Sequence, residues 1–173
     1  DDSIVRGTTL KESIIRMLGR LKPKRIIVVS SSPQIRYPDC YGIDMSKMGD
    51  FIAFSAAIEL IKERKKTDYL KELWDKCKEL QRTNQLQAEN VVKQLYKQFT
   101  TDEISNKIAQ LITPAGLDIP VDVIFQSIED LHKSCPNNLG DWYFTGNYPT
   151  PGGNKVVNKA FMNYMEGKNV RGY

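Results

Sequence analysis

The chain has 173 residues, of which 40% are hydrophobic and 27% are charged. This length and apolar content predict one folded domain, or one with an appendage, and exclude a disordered chain. No apolar run approaches the roughly 18 residues that a membrane-spanning helix needs, so we expect no membrane partner. The acidic first residues give no sign of a secretory signal peptide.

Cysteine and histidine are too few for several common kinds of site. Cys40, Cys77 and Cys135 are odd in number and form no Cys-x-x-Cys motif, which predicts reduced thiols in a cytoplasmic protein. His132 is the only histidine, so a zinc site or a serine–histidine–aspartate triad would rest on one residue. We therefore expect neither of these sites.

The net charge of +4 is concentrated near the N-terminus, where residues 1–25 carry seven Lys or Arg against three Asp or Glu. A basic segment can attract a phosphate-bearing ligand, although cations on the wet face of a helix explain the same count. Charge alone favours the second explanation. The basic excess is small and is not interleaved with aromatic residues, so we expect no nucleic-acid partner.

The first predicted elements are a helix and a strand. Thr9 and Glu12 have the spacing of a capping box. The apolar stripe that follows comprises Leu10, Ile14, Met17, Leu18 and Leu21. Pro23 ends the helix, and residues 25–30 form a β-branched strand that we expect to be buried. A helix before such a strand is half of a β–α–β unit, which predicts another strand before Asp1.

Helical patterns dominate the rest of the chain. After a loop over residues 30–44, amphipathic stripes begin near residues 51, 70, 88 and 100. Asp50 is predicted to cap the first of these helices, and Thr100 with Glu103 forms a capping box before the last. Strand character returns over residues 121–125, followed by a short helix capped by Ser127 and a final helix starting near Asn154. We interpret the stripes as a local core.

The first nine residues carry the strongest chemical signal. Two adjacent carboxylates stand where a strand should end, and small, hydroxylic and glycine residues lead from them into a helix. Helix-start N–H groups and Thr hydroxyls bind phosphate, and carboxylates accept hydrogen bonds from sugar hydroxyls. Gly7 allows close approach of the backbone to a phosphate. The segment predicts a ribose-phosphate site; an acidic terminus before an ordinary capped helix is the alternative interpretation.

The order Asp-Asp-Ser-Ile-Val-Arg-Gly-Thr-Thr over residues 1–9 resembles the phosphoribosyl pyrophosphate (PRPP) motif of type I phosphoribosyltransferases, in the form typical of amidophosphoribosyltransferases. Later segments that resemble the same family are Ser31-Ser32-Pro33, Tyr41-Gly42-Ile43-Asp44-Met45, Phe51-Ile52-Ala53 and Phe144-Thr145-Gly146-Asn147-Tyr148-Pro149-Thr150. For Tyr41, Asp44 and the last segment, packing or domain contact is a better interpretation than chemistry.

The resemblance implies an α/β fold, the remnant of a type I phosphoribosyltransferase (Rossmann-like) domain with few parallel strands and a predominantly helical remainder. Residues 1–64 correspond to the C-terminal half of that domain, with the PRPP loop. Residues 65–116 have no counterpart in the family and are interpreted as a helical insertion. Residues 117–173 correspond to the last strand and helix of the domain and a C-terminal tail helix.

The resemblance also implies a function. Members of the family make 5-phosphoribosylamine from PRPP and glutamine, with magnesium, in the first step of purine synthesis; an N-terminal glutaminase domain supplies the ammonia. This chain is then the C-terminal portion of such an enzyme, inactive by itself because the glutaminase domain and catalytic loops lie upstream. PRPP and purine nucleotides are the implied ligands of the parent enzyme, which we expect to be a homo-oligomer.

The implied binding residues all lie in the first nine positions, and none of them is assigned a catalytic role. The substrate-binding residues are Asp1, Asp2, Ser3, Val5, Arg6, Gly7, Thr8 and Thr9, and the magnesium ligands are Asp1 and Asp2. Some relatives hold an iron–sulfur cluster with four cysteines. In this sequence, Cys40 is one residue away from the position of the first cluster cysteine, and Cys135 is displaced from the position of a later one. We therefore expect no iron–sulfur cluster.

A second hypothesis, from another functional class, is an interaction module. In it, residues 65–116 are a helical dimerisation or docking element without ligand binding of its own. Stabilisation of the chain by a nucleotide would favour the first hypothesis, whereas dimerisation without ligand affinity would favour the second.

Overall fold

A computed structural model describes residues 1–40, 45–137 and 140–172. The Tyr41 and Asp44 positions of the second motif therefore lie outside the described residues. The strands are β1 (Ile26–Ser30) and β2 (Val121–Phe125), and the helices are α1 (Ile15–Arg20), α2 (Ile52–Glu63), α3 (Thr67–Arg82), α4 (Val92–Tyr96), α5 (Thr101–Ile112), α6 (Ile128–Ser134), α7 (Trp142–Thr145) and α8 (Pro151–Met165). A π-helical turn (Leu10–Ile14) precedes α1, and a 3-10 turn (Met48–Asp50) precedes α2.

The two strands form a parallel sheet, in register from Ile26 opposite Val121 to Ser30 opposite Phe125. Helix α5 packs against β2 and against α2, so one face of the sheet joins the core. Parallel strands need a long crossover, here the helical segment between them. The structure confirms the predicted α/β class with few parallel strands and a mostly helical remainder. In the described part of the chain, no helix is both long and apolar enough to cross a membrane.

The strand β1 is buried on one face only. Ile26, Val28 and Ser30 are buried, but Ile27 and Val29 are more than half exposed, as is Ile124 on β2. The predicted strand is present over Ile26–Ser30, but the expectation that it is buried holds for one face only. Because α5 packs on one face, the β-branched side chains of the other face remain open to solvent.

The first helix differs from its sequence pattern. Thr9 has helical φ and ψ angles and its side chain caps nothing, while Glu12 forms an ion pair with Arg16 at 3.0 Å. The predicted capping box was therefore wrong. The helix buries Leu10 and Ile15, which are five residues apart, because the π-helical turn carries one extra residue. The other members of the predicted stripe are exposed: Ile14, Met17, Leu18 and Leu21.

The Thr100–Glu103 capping box is present at the start of α5: the Glu103 N–H donates to Thr100 Oγ1 at 3.1 Å, and the Thr100 N–H donates to Glu103 Oε2 at 2.8 Å. The stripe that begins near residue 88 forms only the short helix α4. Residues before α4 are held instead by Asn158 of α8, which is fully buried. Its side chain accepts from the Val91 N–H and donates to two carbonyls, those of Leu86 and Glu89.

The helices between residues 65 and 116 do not all pack on one another. Helix α3 packs against α8 and α4, whereas α5 packs against α2 and β2. The side chains that α3 buries are Leu70, Leu73 and Cys77, as its stripe predicts, while Trp74 is half-buried. The division of the chain into segments ending at 64, 116 and 173 stays a prediction.

Leu95 of α4 has no exposed surface, so Leu95→Ala should lower the free energy of unfolding by about 2–5 kcal/mol. Leu21, which is 78% exposed, provides a matched control, and Leu21→Ala should change stability by less than about 0.5 kcal/mol. Urea unfolding of the two variants measures both values. Equal losses would show that α4 does not belong to the core.

Glu166, at the end of α8, accepts hydrogen bonds from Lys168 and Lys78, which lower its pKa from 4.5 to about 2. A depressed pKa in the folded state stabilises the protein above the unfolded pKa, and this stabilisation is lost as pH falls toward 2. Glu166→Gln should therefore weaken the loss of stability between pH 4.5 and 2. Urea unfolding of the wild-type chain and the variant across this pH range measures the effect. The same loss of stability in both would show that Glu166 does not contribute to it.

Candidate functional site

A cavity of about 650 Å³ is bounded by the first residues of the chain, α1 with its preceding turn, and β1. The predicted site residues in its wall are Asp1, Ser3, Val5, Arg6, Gly7, Thr8 and Thr9. Asp2 is not among the lining residues. Apolar side chains of β1 and of Ile14 and Leu18 complete the wall. The structure therefore brings together seven of the eight residues that the motif predicts.

The loop is anchored to the sheet at its first residue. The Asp1 amino group donates to the Val29 carbonyl at 3.0 Å, and the Ser31 N–H donates to the Asp1 carbonyl at 3.0 Å. This pair of bonds is the pattern of a parallel ladder centred on Ser30. Asp1 thus pairs with β1 at the carboxyl edge of the sheet, where parallel sheets bind ligands.

A second anchor joins the loop to the start of α2. The Ile52 N–H donates to the Val5 carbonyl at 2.7 Å, and the Arg6 guanidinium pairs with the Asp50 carboxylate at 3.2 Å. Asp50 does not cap α2 with its side chain, so that prediction was wrong. The charge on Arg6 is partly compensated by this contact. No sequence signal assigned Asp50 or Ile52 to the site, because the contacts join segments more than forty residues apart.

Gly7 directly follows the second anchor and has a φ of +70°. A Cβ atom at this position would lie 2.8 Å from Ile52 Cδ1 and 2.9 Å from Ile112 Cγ2. The backbone therefore needs glycine both for its left-handed conformation and for close packing on the core. The sequence indicated that glycine allows a phosphate to approach the backbone. The structure adds the left-handed conformation and the close packing on Ile52 and Ile112 as reasons for glycine at this position.

The helical segment that starts at Thr8 offers hydrogen-bond donors to the cavity. Thr8 and Thr9 are exposed, and within the described residues their hydroxyls make no side-chain hydrogen bond. The first helical hydrogen bond runs from the Lys11 N–H to the Gly7 carbonyl at 3.0 Å. The N–H groups before Lys11 belong to the free, positive end of the helix, which suits an anion.

The two carboxylates fit a magnesium ion that a ligand also holds. Asp1 and Asp2 are both exposed, and one Asp2 oxygen, Oδ1, accepts from the Ser3 N–H at 2.8 Å. Mg²⁺ is commonly bound by one or two carboxylates together with substrate phosphates and water. Among the described residues, no group of three or more His, Cys, Asp or Glu side chains is placed to hold a metal by itself.

The cysteines lie apart from the site. Cys77 is buried in α3, where burial raises the pKa of its thiol to about 12. Cys135 is exposed after α6, and Cys40 is half-buried. The expected absence of an iron–sulfur cluster stays a prediction.

Gly7→Ala should destabilise the chain more than Gly116→Ala. Both glycines have positive φ, at +70° and +80°, but a Cβ atom at Gly116 meets nothing within 4 Å. The left-handed backbone costs about 1–2 kcal/mol in both variants, and overlap with the core should add about 1–3 kcal/mol for Gly7 alone. Urea unfolding gives the difference; equal losses would mean that the loop is not packed on Ile52 and Ile112.

Comparison with known proteins finds sequence relatives but no matching family model and no matching solved structure. Amidophosphoribosyltransferase from Haemophilus influenzae is 46% identical over 63 residues, which are 36% of this chain and 12% of the relative. The Escherichia coli protein of the same name is 43% identical over 63 residues, 36% of this chain and 12% of the relative.

The Schizosaccharomyces pombe amidophosphoribosyltransferase is 36% identical over 83 residues, covering 45% of this chain and 15% of the relative. The matched segment thus spans only about an eighth of the length of these relatives. The similarity agrees with the family that the first nine residues predict. Over more than a third of its length, this chain is related in sequence to the amidophosphoribosyltransferases.

Proposed function

We propose that this chain is the C-terminal part of an amidophosphoribosyltransferase and that its first nine residues hold the ribose phosphate of PRPP. The observation that carries the proposal is the cavity. Its wall combines the Asp1 carboxylate, the turn at Gly7 and the unpaired N–H groups at the start of the first helix. The named relatives support the family, and the position of the loop at the carboxyl edge of the sheet supports its role.

Each part of the loop has a separate task in this proposal. The Thr8 and Thr9 hydroxyls and the N–H groups of the helix start donate to the 5′-phosphate. The Asp1 and Asp2 carboxylates accept hydrogen bonds from the ribose hydroxyls and share magnesium with the ligand. When bound, magnesium supplies positive charge that stabilises the pyrophosphate leaving group.

The chain's residues bind and orient PRPP while ammonia attacks the anomeric carbon. The bond from that carbon to pyrophosphate breaks as the carbon–nitrogen bond forms, the nitrogen then loses one proton to solvent, and 5-phosphoribosylamine results. Arg6 acts here through Asp50, holding the loop against α2, while Val5 provides the carbonyl that Ile52 binds. A precise loop lowers the barrier because it fixes the sugar before the reaction.

The proposal also includes an N-terminal portion of the enzyme that works together with this chain. A glutaminase domain and the pyrophosphate-binding and catalytic loops would be supplied by the N-terminal portion, so the chain alone should be inactive. In this proposal, a strand that enters Asp1 pairs with the edge of β1. We further propose a cytoplasmic homo-oligomer that binds purine nucleotides through the same ribose-phosphate loop.

The helical interaction module is less well supported as a function. Its docking element would need apolar side chains at the surface of residues 65–116. The large apolar side chains exposed in the described structure lie elsewhere: Ile14, Met17, Leu18, Leu21, Ile27, Val29, Ile124, Tyr164 and Val170. The helices of 65–116 turn their stripes toward the core and leave no large apolar side chain fully exposed to a partner.

The carboxylates can be tested in the intact polypeptide that contains this chain. Asp1→Asn with Asp2→Asn should lower kcat/KM for PRPP by about a hundredfold, because two charge-assisted interactions are lost. Asp75→Asn with Asp118→Asn removes the same charge from two exposed positions and should leave kcat/KM unchanged. Steady-state kinetics across a magnesium series measures the effect.

Two outcomes would count against this assignment. Wild-type kinetics in the Asp1 and Asp2 double variant would remove the carboxylates from the site. An equal loss in the Asp75 and Asp118 variant would show a general effect of charge. Circular dichroism of each variant checks that the fold is retained.

A further inference from the structure

A second cavity, of about 450 Å³, lies between α4, the turn after α7 and the start of α8. It shares no lining residue with the cavity at the first nine residues. Its wall is polar, and the side chains that matter here are those of Asn90, Lys93, Lys97, Asn147 and Asn154. The proposed transferase function uses none of them.

Two ammonium groups face this cavity, and within the described residues neither forms an ion pair with a carboxylate. Lys93 and Lys97 are four residues apart, a spacing that places like charges side by side on a helical turn and destabilises it. The Lys93 ammonium donates to the neutral Asn147 Oδ1. Among the described residues, no carboxylate lies within 4.0 Å of either lysine nitrogen.

The nearby carboxylates are engaged elsewhere. Glu89, in the cavity wall, pairs with Lys76 at 2.8 Å and accepts from Gln94. Asp141 lies 3.1 Å from His132. Burial, followed by the charge on Lys97, lowers the pKa of Lys93, while the Asp141 carboxylate acts in the opposite direction.

The polar wall is held in a fixed arrangement. Gly146 has a φ of +68°, and a Cβ atom there would lie 2.6 Å from Asn90 Nδ2, so the turn packs directly on Asn90. Asn90 is 7% exposed; its Nδ2 donates to the Gly146 carbonyl at 3.1 Å, and its Oδ1 has no partner. An unmatched buried oxygen of this kind needs a hydrogen-bond donor, such as a water molecule or a hydroxyl of the organic group on a phosphate monoester.

We propose that the α4–α8 cavity is a binding site for a phosphate group carried by a small phosphate monoester. Lys93 and Lys97 supply charge-assisted hydrogen bonds to the phosphate oxygens. Asn147 accepts from Lys93 through Oδ1, which leaves its amide N–H groups for a third oxygen. The cavity volume exceeds that of an inorganic ion and leaves room for a small organic group.

Inorganic phosphate is the first probe, titrated against this chain at constant ionic strength with chloride as the balancing anion. Thermal unfolding should show stabilisation by phosphate, because a ligand of the folded state raises Tm. Lys93→Met with Lys97→Met should raise the apparent Kd by at least about tenfold. Lys66→Met with Lys71→Met removes the same charge from two exposed positions and should retain the wild-type Kd.

A third variant separates this cavity from the loop at the first nine residues. Thr8→Val with Thr9→Val removes the hydroxyls of that loop and should leave the lysine-dependent phosphate effect in place. NMR of the Lys93 ammonium adds a local readout, since bound phosphate should raise its pKa. A small phosphate monoester such as ribose 5-phosphate should bind more tightly than inorganic phosphate or acetate.

Three results would overturn the proposal: no phosphate effect on the wild-type chain, an unchanged Kd in the Lys93 and Lys97 variant, or loss of the effect in the Thr8 and Thr9 variant alone. The last result would assign phosphate to the first cavity and leave the transferase proposal intact. Failure of the transferase proposal, in turn, would not affect binding by the lysine pair.

Discussion

The hydrogen bond from the Ile52 N–H to the Val5 carbonyl joins the first loop to the helical core. It fixes the first loop to the start of α2, and α2 is packed on α5, which covers the sheet. Gly7 can approach Ile52 and Ile112 closely only because it lacks a side chain. The position of the loop therefore depends on the helical core as much as on β1.

A second set of contacts ties the helical remainder to the carboxyl edge of the sheet. The Tyr96 hydroxyl donates to the Arg36 carbonyl at 2.9 Å, and the Tyr148 hydroxyl donates to the Pro38 carbonyl at 2.6 Å. Burial raises the pKa of both phenols, so they remain neutral donors. Because each buried hydroxyl has a partner, the segment after β1 is held in place without secondary structure of its own.

The sheet has an apolar face that is exposed to solvent. On one side the sheet packs on α5, while Ile27, Val29 and Ile124 on the other side meet solvent together with the outward stripe of α1. Asp1 already makes a parallel ladder with β1 at this edge. In the described residues, the sheet therefore has one solvent-exposed face and an edge of β1 whose backbone pairs with Asp1.

The sequence by itself determined the elements whose signals are local, such as the Thr100–Glu103 capping box, and the order of residues 1–9 predicted both family and loop. Tertiary structure decided which face each element turns inward. Ile15 is buried instead of Ile14 because the π-helical turn adds one residue, and Asp50 binds Arg6 instead of capping α2. These differences depend on contacts between segments far apart in the chain, and the local periodicity of a sequence carries no information about such contacts.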